Sequence, residues 1–182
     1  MHPLELVITV GWIVFWIYWL AASASVKAAQ AGSSRIRGGA VATVVVLFVL
    51  VRLSTTQWHA RINSPWLKGV GVAIFVLGLA LAVWARIYLG RNWGTPMSRK
   101  VDPELVTTGP YRRVRHPIYT GILAGMVGTA VALSWYGLIA AALAAAYFWF
   151  SAVREERYLA ETFPQAYPGY KRSAKMLIPF IF

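Results

Sequence analysis

The sequence predicts an all-α integral membrane protein with five transmembrane helices, the last two forming a tight helical hairpin. Three observations lead there. The chain of 182 residues is 58% hydrophobic and only 13% charged, with a mean hydropathy of +0.56, a composition outside the range of ordinary soluble domains. Its apolar runs are long enough to cross a bilayer. Its lysines and arginines fall in alternate connecting segments, as the positive-inside rule requires.

Each span can be read in turn. Residues 6–26 carry no charge; at about 1.5 Å per residue they cross a hydrocarbon core of about 30 Å. No lysine or arginine precedes them, so a retained span is expected rather than a cleaved leader. Residues 27–37 form a basic loop with Lys27, Arg35 and Arg37. The second span is 38–58, with Arg52 near its end, where the side chain snorkels to the interface. Residues 59–68 form a short loop, and His59 there has no second ligand near it. The third span is 69–89. From Pro117 to Val153 no residue is charged, and a single helix of that length would extend about 55 Å, too far for one crossing. Ser134-Trp135-Tyr136-Gly137 reads as a turn, which gives helices 117–133 and 138–153. Gly121, Gly125 and the alanines of 140–146 then predict close packing within this hairpin. The second hairpin helix runs on into water through Arg154-Glu155-Glu156-Arg157, until Pro164, Pro168 and Gly169 break the chain.

Orientation follows from the charge count. The 27–37 loop holds three lysines and arginines, the 90–116 segment six and the tail after residue 153 five; the N-terminus and the 134–137 turn hold none and 59–68 two. Five spans put the three basic regions on one side, the cytosolic one. The N-terminus lies outside and the C-terminus in the cytosol. The net charge of +12 therefore belongs to loops facing anionic headgroups. Nucleic-acid binding is excluded, because no soluble basic domain carries it. With no cysteine in the chain, disulfides and thiolate metal sites are excluded too.

The stretch that the rest serves is 106–121, polar and basic yet opening directly into an apolar helix. Thr108-Gly109-Pro110 is a turn. Pro117 suits the first helical position and disfavours helical geometry at His116, so His116 sits at the cap. Its ring, Arg115 and the free N–H groups of the helix then converge on a spot that attracts an anion. Glu155 and Glu156 end the other hairpin helix; their spacing fits either a solvated helix end paired with Arg154 or Arg157, or a pair of carboxylates facing His116 across the hairpin mouth. A site with both signs of charge and several tyrosines can grip a zwitterion. Adjacent helical residues point about 100° apart, so only one carboxylate should dominate. Glu156 is the choice, and Glu156→Gln is expected to leave stability nearly unchanged.

These residues carry a resemblance. Leu105-Val106-Thr107-Thr108-Gly109-Pro110-Tyr111, then Arg115-His116-Pro117-Ile118-Tyr119-Thr120-Gly121, then Glu155-Glu156 with Leu159, Phe163, Tyr167 and Tyr170, resemble the isoprenylcysteine carboxyl methyltransferase family and the wider set of membrane phospholipid methyltransferases. Leu89-Gly90-Arg91-Asn92-Trp93 is similar as well. Pro164 departs from the family, which commonly has glycine there. The chain divides accordingly within one membrane domain, 1–182: residues 1–84 hold N-terminal helices without a specific motif, and 85–182 the core.

The resemblance implies S-adenosylmethionine as methyl donor, a cofactor site covered by the cytosolic loop and C-terminal segment, and a lipophilic acceptor, small molecule or lipid, entering from the bilayer. It implies cofactor-binding roles for Tyr111, Arg115, His116, Pro117, Tyr119, Gly121, Glu156, Tyr167 and Tyr170, and catalytic roles for Glu155, Glu156 and Arg172. Arg115, His116 and the helix N-terminus would take the donor's carboxylate. Tyr119, Tyr167 and Glu156 would favour its sulfonium. Arg172 or Arg157 would orient a carboxylate acceptor, whereas Glu155 or Glu156 would take the proton of an amine, thiol or phenol. No metal is needed. Membrane sterol reductases, which use NADPH, share a similar Arg-His-Pro-x-Tyr ending, and a non-catalytic scaffold is the third reading. The small size is similar to prokaryotic members, which suggests an inner-membrane location.

Overall fold

A computed structural model describes residues 3–23, 62–93 and 103–178, apart from the side chains of Ser23 and Arg91. The described residues form five α-helices: α1 (Pro3–Ser23), α2 (Pro65–Leu89), α3 (Pro117–Leu133), α4 (Gly137–Thr162) and α5 (Tyr167–Ser173), with short 3₁₀ turns at Gly90–Asn92 and Gly109–Arg112. The expected span 38–58, Arg52, His59, and the segments 27–37, 94–102 and 179–182 lie outside the described residues.

Helices α1, α2 and α4 are long and apolar enough to cross a membrane, and each exposes large apolar side chains, among them Leu20, Leu77 and Leu143. The protein is an integral membrane protein. Helix α3 is shorter, 17 residues, and is surrounded by the others.

Local chemistry sets the boundaries. The third expected span, 69–89, begins earlier, at Pro65. Ser64 caps it by accepting from the Leu67 N–H at 3.5 Å, and Pro65 occupies the first turn, where a missing N–H costs nothing. Its other end is as expected: Gly90 has φ 53° and its N–H closes on the Arg86 carbonyl. Helix α3 spans the expected residues, with His116 at its N-cap. Helix α4 runs past Val153 to Thr162, since proline at 164 disfavours helix at Phe163. The three residues Ser134–Tyr136 join α3 to α4, and the two run antiparallel, because the start of α3 meets the end of α4 (below).

The tight helix pair is not the expected one. Gly121 and its neighbours serve contact between α2 and α3 rather than α3 and α4. A Cβ on Gly128 would stand 2.3 Å from the Phe75 nitrogen, and one on Gly121 2.6 Å from the Ala82 nitrogen. From the other side, a Cβ on Gly71 would stand 2.5 Å from the Ala132 nitrogen, and one on Gly78 2.5 Å from the Gly125 nitrogen. These are backbone atoms, which cannot swing aside. In a bilayer, where apolar side chains gain little by leaving lipid, such close approach is a main source of helix association. Gly78→Val is expected to cost about 1–3 kcal/mol through overpacking, lowering the thermal midpoint of detergent-solubilised protein. Gly69→Val, with nothing within 4 Å of its Cβ, is the control.

Two polar contacts fix α1. The Trp12 indole donates to the Thr129 hydroxyl on α3 at 3.1 Å, so an N–H that would be costly in hydrocarbon is satisfied. Arg86, buried in the last turn of α2, donates to the carbonyls of Ala22 at 2.6 Å and Gly90 at 2.7 Å and lies 4.8 Å above the Trp93 ring. A cation at two helix C-termini meets their negative dipole ends.

Candidate active site

The site lies where α3 begins and α4 ends. The Thr108-Gly109-Pro110 turn is present. Gly109 has φ 58°, and a Cβ on it would fall 2.4 Å from the Tyr88 ring, so glycine is required there both by conformation and by space. The next residues do not lead freely into α3. They pair with the C-terminal tail: Val114 and Lys175 form a parallel bridge, with Arg115 N–H to Lys175 O at 2.7 Å, Lys175 N–H to Arg113 O at 3.0 Å and His116 N–H to Met176 O at 3.1 Å. The Thr120 hydroxyl donates to the Leu177 carbonyl at 2.5 Å. The tail is thus a strap across the start of α3. The expected open cradle of N–H groups at His116 is narrowed, since the Met176 carbonyl takes the His116 N–H.

Across from the strap stand Glu155 and Glu156. Arg115 Nε donates to Glu156 Oε1 at 2.7 Å, and Lys171 Nζ lies 3.0 Å from Glu156 Oε2. His116 lies between the carboxylates: Nδ1 is 3.5 Å from Glu155 Oε2 and Nε2 is 3.5 Å from Glu156 Oε1. Both adjacent glutamates thus reach His116, although they point about 100° apart on the helix. An imidazole carries nitrogens on two edges and bridges the angular gap. Tyr119 donates to Glu155 Oε1 at 2.5 Å, stacks at 5.5 Å on His116 and packs at 4.5 Å on Phe148 of α4. The Tyr170 hydroxyl donates to the Tyr111 carbonyl at 2.8 Å, tying α5 to the turn. Tyr167 is fully enclosed, so Pro164 still delivers both tail tyrosines to the interior.

The sequence-derived candidates divide. Arg115, His116, Tyr119, Glu155 and Glu156 are in direct contact, Tyr111, Tyr167 and Tyr170 pack around them, and Pro117 opens α3. Gly121 is turned toward the α2 backbone, where its smallness serves helix packing. Arg172 is exposed on α5, and its neighbour Lys171 is the cation that reaches Glu156. Lys171 and the strap carbonyls were not found from sequence. A lysine in a basic tail reads as membrane-side charge, and backbone pairing with the tail leaves no residue-type signal.

Electrostatics follow from burial and pairing. Burial pushes the His116 imidazole down, but the carboxylates of Glu155 and Glu156, one beside each ring nitrogen, outweigh this and raise its pKa. The hydroxyls of Tyr111, Tyr167 and Tyr170 are pushed up, chiefly by burial, so they remain protonated. A raised pKa in the fold means that the folded state holds the proton more tightly than the unfolded chain. The resulting stability is complete below the ordinary histidine value of about 6.5 and is lost as pH rises through the raised value. Unfolding of solubilised protein from about pH 5 to about pH 8 should show stability falling with pH, with a shallower slope in His116→Asn.

A helical membrane bundle with a buried basic and acidic cluster at one end is the class that these features define. The family model described as phospholipid methyltransferase matches residues 66–166, more than half of the chain, and the chain belongs to that family. It is 33% identical over 139 residues to cobalt-zinc-cadmium resistance protein CzcN of Cupriavidus metallidurans, a match covering 75% of this chain and 61% of that protein. It is 28% identical over 146 residues to methanethiol S-methyltransferase of a Pseudomonas species, covering 75% and 55%. It is 34% identical over 121 residues to protein-S-isoprenylcysteine O-methyltransferase B of Arabidopsis thaliana, covering 64% and 61%. The chain thus spans about three fifths of these relatives' length. The fold matches the structure of a eukaryotic intramembrane Ras methyltransferase, isoprenylcysteine carboxyl methyltransferase, with a TM-score of 0.64 at 24% identity, over 100% of this chain and 69% of that one. Two of these sequence relatives are named for methyl transfer and none for reduction.

Proposed function

We propose that this protein transfers a methyl group from S-adenosylmethionine to a lipophilic acceptor at the cytosolic face of the membrane. The observation that carries this reading is the meeting of His116 with both Glu155 and Glu156, beside Arg115, at one end of the bundle. The residues present fit the donor. His116 Nε2 and the Tyr167 hydroxyl are buried and lack hydrogen-bond partners of ordinary geometry among the described residues, so a polar ligand has atoms to satisfy. A pocket of ≈ 220 Å³ opens beside Glu156 and Lys171. His116 and Arg115 offer positive charge to a ligand carboxylate; Glu155 and Glu156 offer negative charge to cationic groups, and Tyr119 and Tyr167 supply aromatic walls. S-adenosylmethionine, when bound, supplies an electrophilic methyl group on a sulfonium.

The chain's own part is alignment and water exclusion, since bringing two reactants together in line accounts for much of such a barrier. The strap and α5 cover the site, with Arg115 holding the Lys171 and Ala174 carbonyls. Glu156, 4% exposed and held by Arg115 and Lys171, is a charge anchor, whereas Glu155, at 26% exposed, is the carboxylate with access. Its Oε2 would take the proton of a thiol or amine acceptor. A carboxylate acceptor needs no base, and nearby cations would orient it. The named activities of relatives include both a thiol and a prenylcysteine carboxylate. Incubation with radiolabelled S-adenosylmethionine across membrane lipid extracts, isoprenoid acids and small thiols should label one acceptor class; transfer to none of them would overturn the reading.

The proposed topology has five spans, N-terminus outside and C-terminus cytosolic, supported by the charge distribution. Reporter fusions after residues 34, 63, 100 and 182 should read in, out, in and in. A cytosolic signal after 63 would contradict it.

A further inference from the structure

Glu156 presents its two oxygens to different surroundings. Oε1 receives the Arg115 Nε at 2.7 Å and lies 3.5 Å from His116 Nε2, whereas Oε2 meets Lys171 Nζ at 3.0 Å. The two cations are held unequally. Arg115 is 9% exposed and also donates to the Lys171 and Ala174 carbonyls. Lys171 is 54% exposed, and with Glu156, Arg157 and Met176 it lines the pocket. An ion pair with one flexible partner in water is held weakly, while a carboxylate as buried as Glu156 is costly to leave unpaired. The side of Glu156 that adjoins the pocket therefore always needs a cation, and the cation now there is the one most easily removed.

We propose that Lys171 is the resident occupant of a cation subsite on Glu156 Oε2, displaced by a ligand that carries its own primary ammonium. This rests on the methyltransferase reading, in which the ligand is the amino-acid end of an S-adenosyl compound. The exchange conserves charge: one ammonium leaves Oε2 and another arrives, so Glu156 stays paired throughout. A ligand without an amino group cannot complete it, because either Lys171 stays in place or Glu156 is left bare. Lys171 thereby sets selectivity for amine-bearing ligands and at the same time lowers their apparent affinity.

The sign of one substitution tests this. A lysine that holds the site about two thirds of the time weakens apparent affinity about threefold. Calorimetric titration with S-adenosylhomocysteine should therefore show about threefold tighter binding in Lys171→Gln than in wild type, and no change in Lys175→Gln. The deaminated analogue should bind wild type far more weakly than the parent compound. In wild-type protein, reductive methylation read by mass spectrometry should modify Lys171 faster when S-adenosylhomocysteine is present. Equal or weaker binding by folded Lys171→Gln, or slower Lys171 modification with ligand, would overturn the lysine's role alone. No binding by wild type and variant alike would overturn both this role and the methyltransferase reading.

Discussion

Replacing Glu156 with glutamine is expected to destabilise the folded protein by roughly 3 kcal/mol, at the low end of the loss seen when one partner of a buried ion pair is removed. The carboxylate is 4% exposed and faces Arg115 at 2.7 Å, Lys171 at 3.0 Å and His116 at 3.5 Å. Glutamine keeps the shape and leaves these cations without their anion. The cost stays at the low end because Arg115 retains the Ala174 and Lys171 carbonyls and Lys171 can return to water. Sequence alone suggests the opposite, a substitution neutral for stability, because an acidic residue at a helix end is normally solvated. The measurement is the thermal midpoint in detergent, expected to fall by roughly 10 °C. Glu161→Gln, one turn beyond the cluster, is the control and should move it little.

His116→Ala is expected to weaken binding of S-adenosylhomocysteine at least tenfold. A hydrogen bond to a charged group contributes about 1.5–3 kcal/mol, which corresponds to roughly 10- to 150-fold in affinity. The ring also stands between two carboxylates and stacks on Tyr119. Its removal leaves like charges facing each other and a gap beside the aromatic wall. His116→Asn fills part of that gap without a titratable group, so comparing the two separates lost volume from lost charge. Unchanged affinity in folded His116→Ala would remove the imidazole from the site.

The parts of this structure set by local chemistry could be read from the sequence. Proline at 117 placed the start of α3 and put His116 at its cap. Uncharged runs marked the helices, and Pro164 marked the segment where α4 stops. The convergence of His116 with Glu155 and Glu156 followed from folding 117–153 back at Ser134–Tyr136. What was not legible depends on which surfaces meet. Gly121 and Gly125 announce a close helix contact without naming the partner, and α2 answers with Gly71 and Gly78 where α4 was expected. The Ser64-Pro65 cap starts α2 four residues before the expected 69, and the helix accommodates the Lys68 charge near its beginning. The strap pairs through backbone atoms of Arg113, Arg115 and His116 with Lys175 and Met176, and backbone pairing does not depend on side-chain type. Lys171 reaches Glu156 only because that strap and Tyr170 fix α5, so its role became visible only with the tertiary structure.

The central claim is that the cluster of Arg115, His116, Glu155 and Glu156 is a binding site for an S-adenosyl compound. Its most direct test is calorimetric titration of the purified wild-type protein in detergent with S-adenosylhomocysteine. The account predicts saturable binding at one site per chain with a micromolar Kd, lost at least tenfold in His116→Ala. Absence of saturable binding by folded wild-type protein would contradict it.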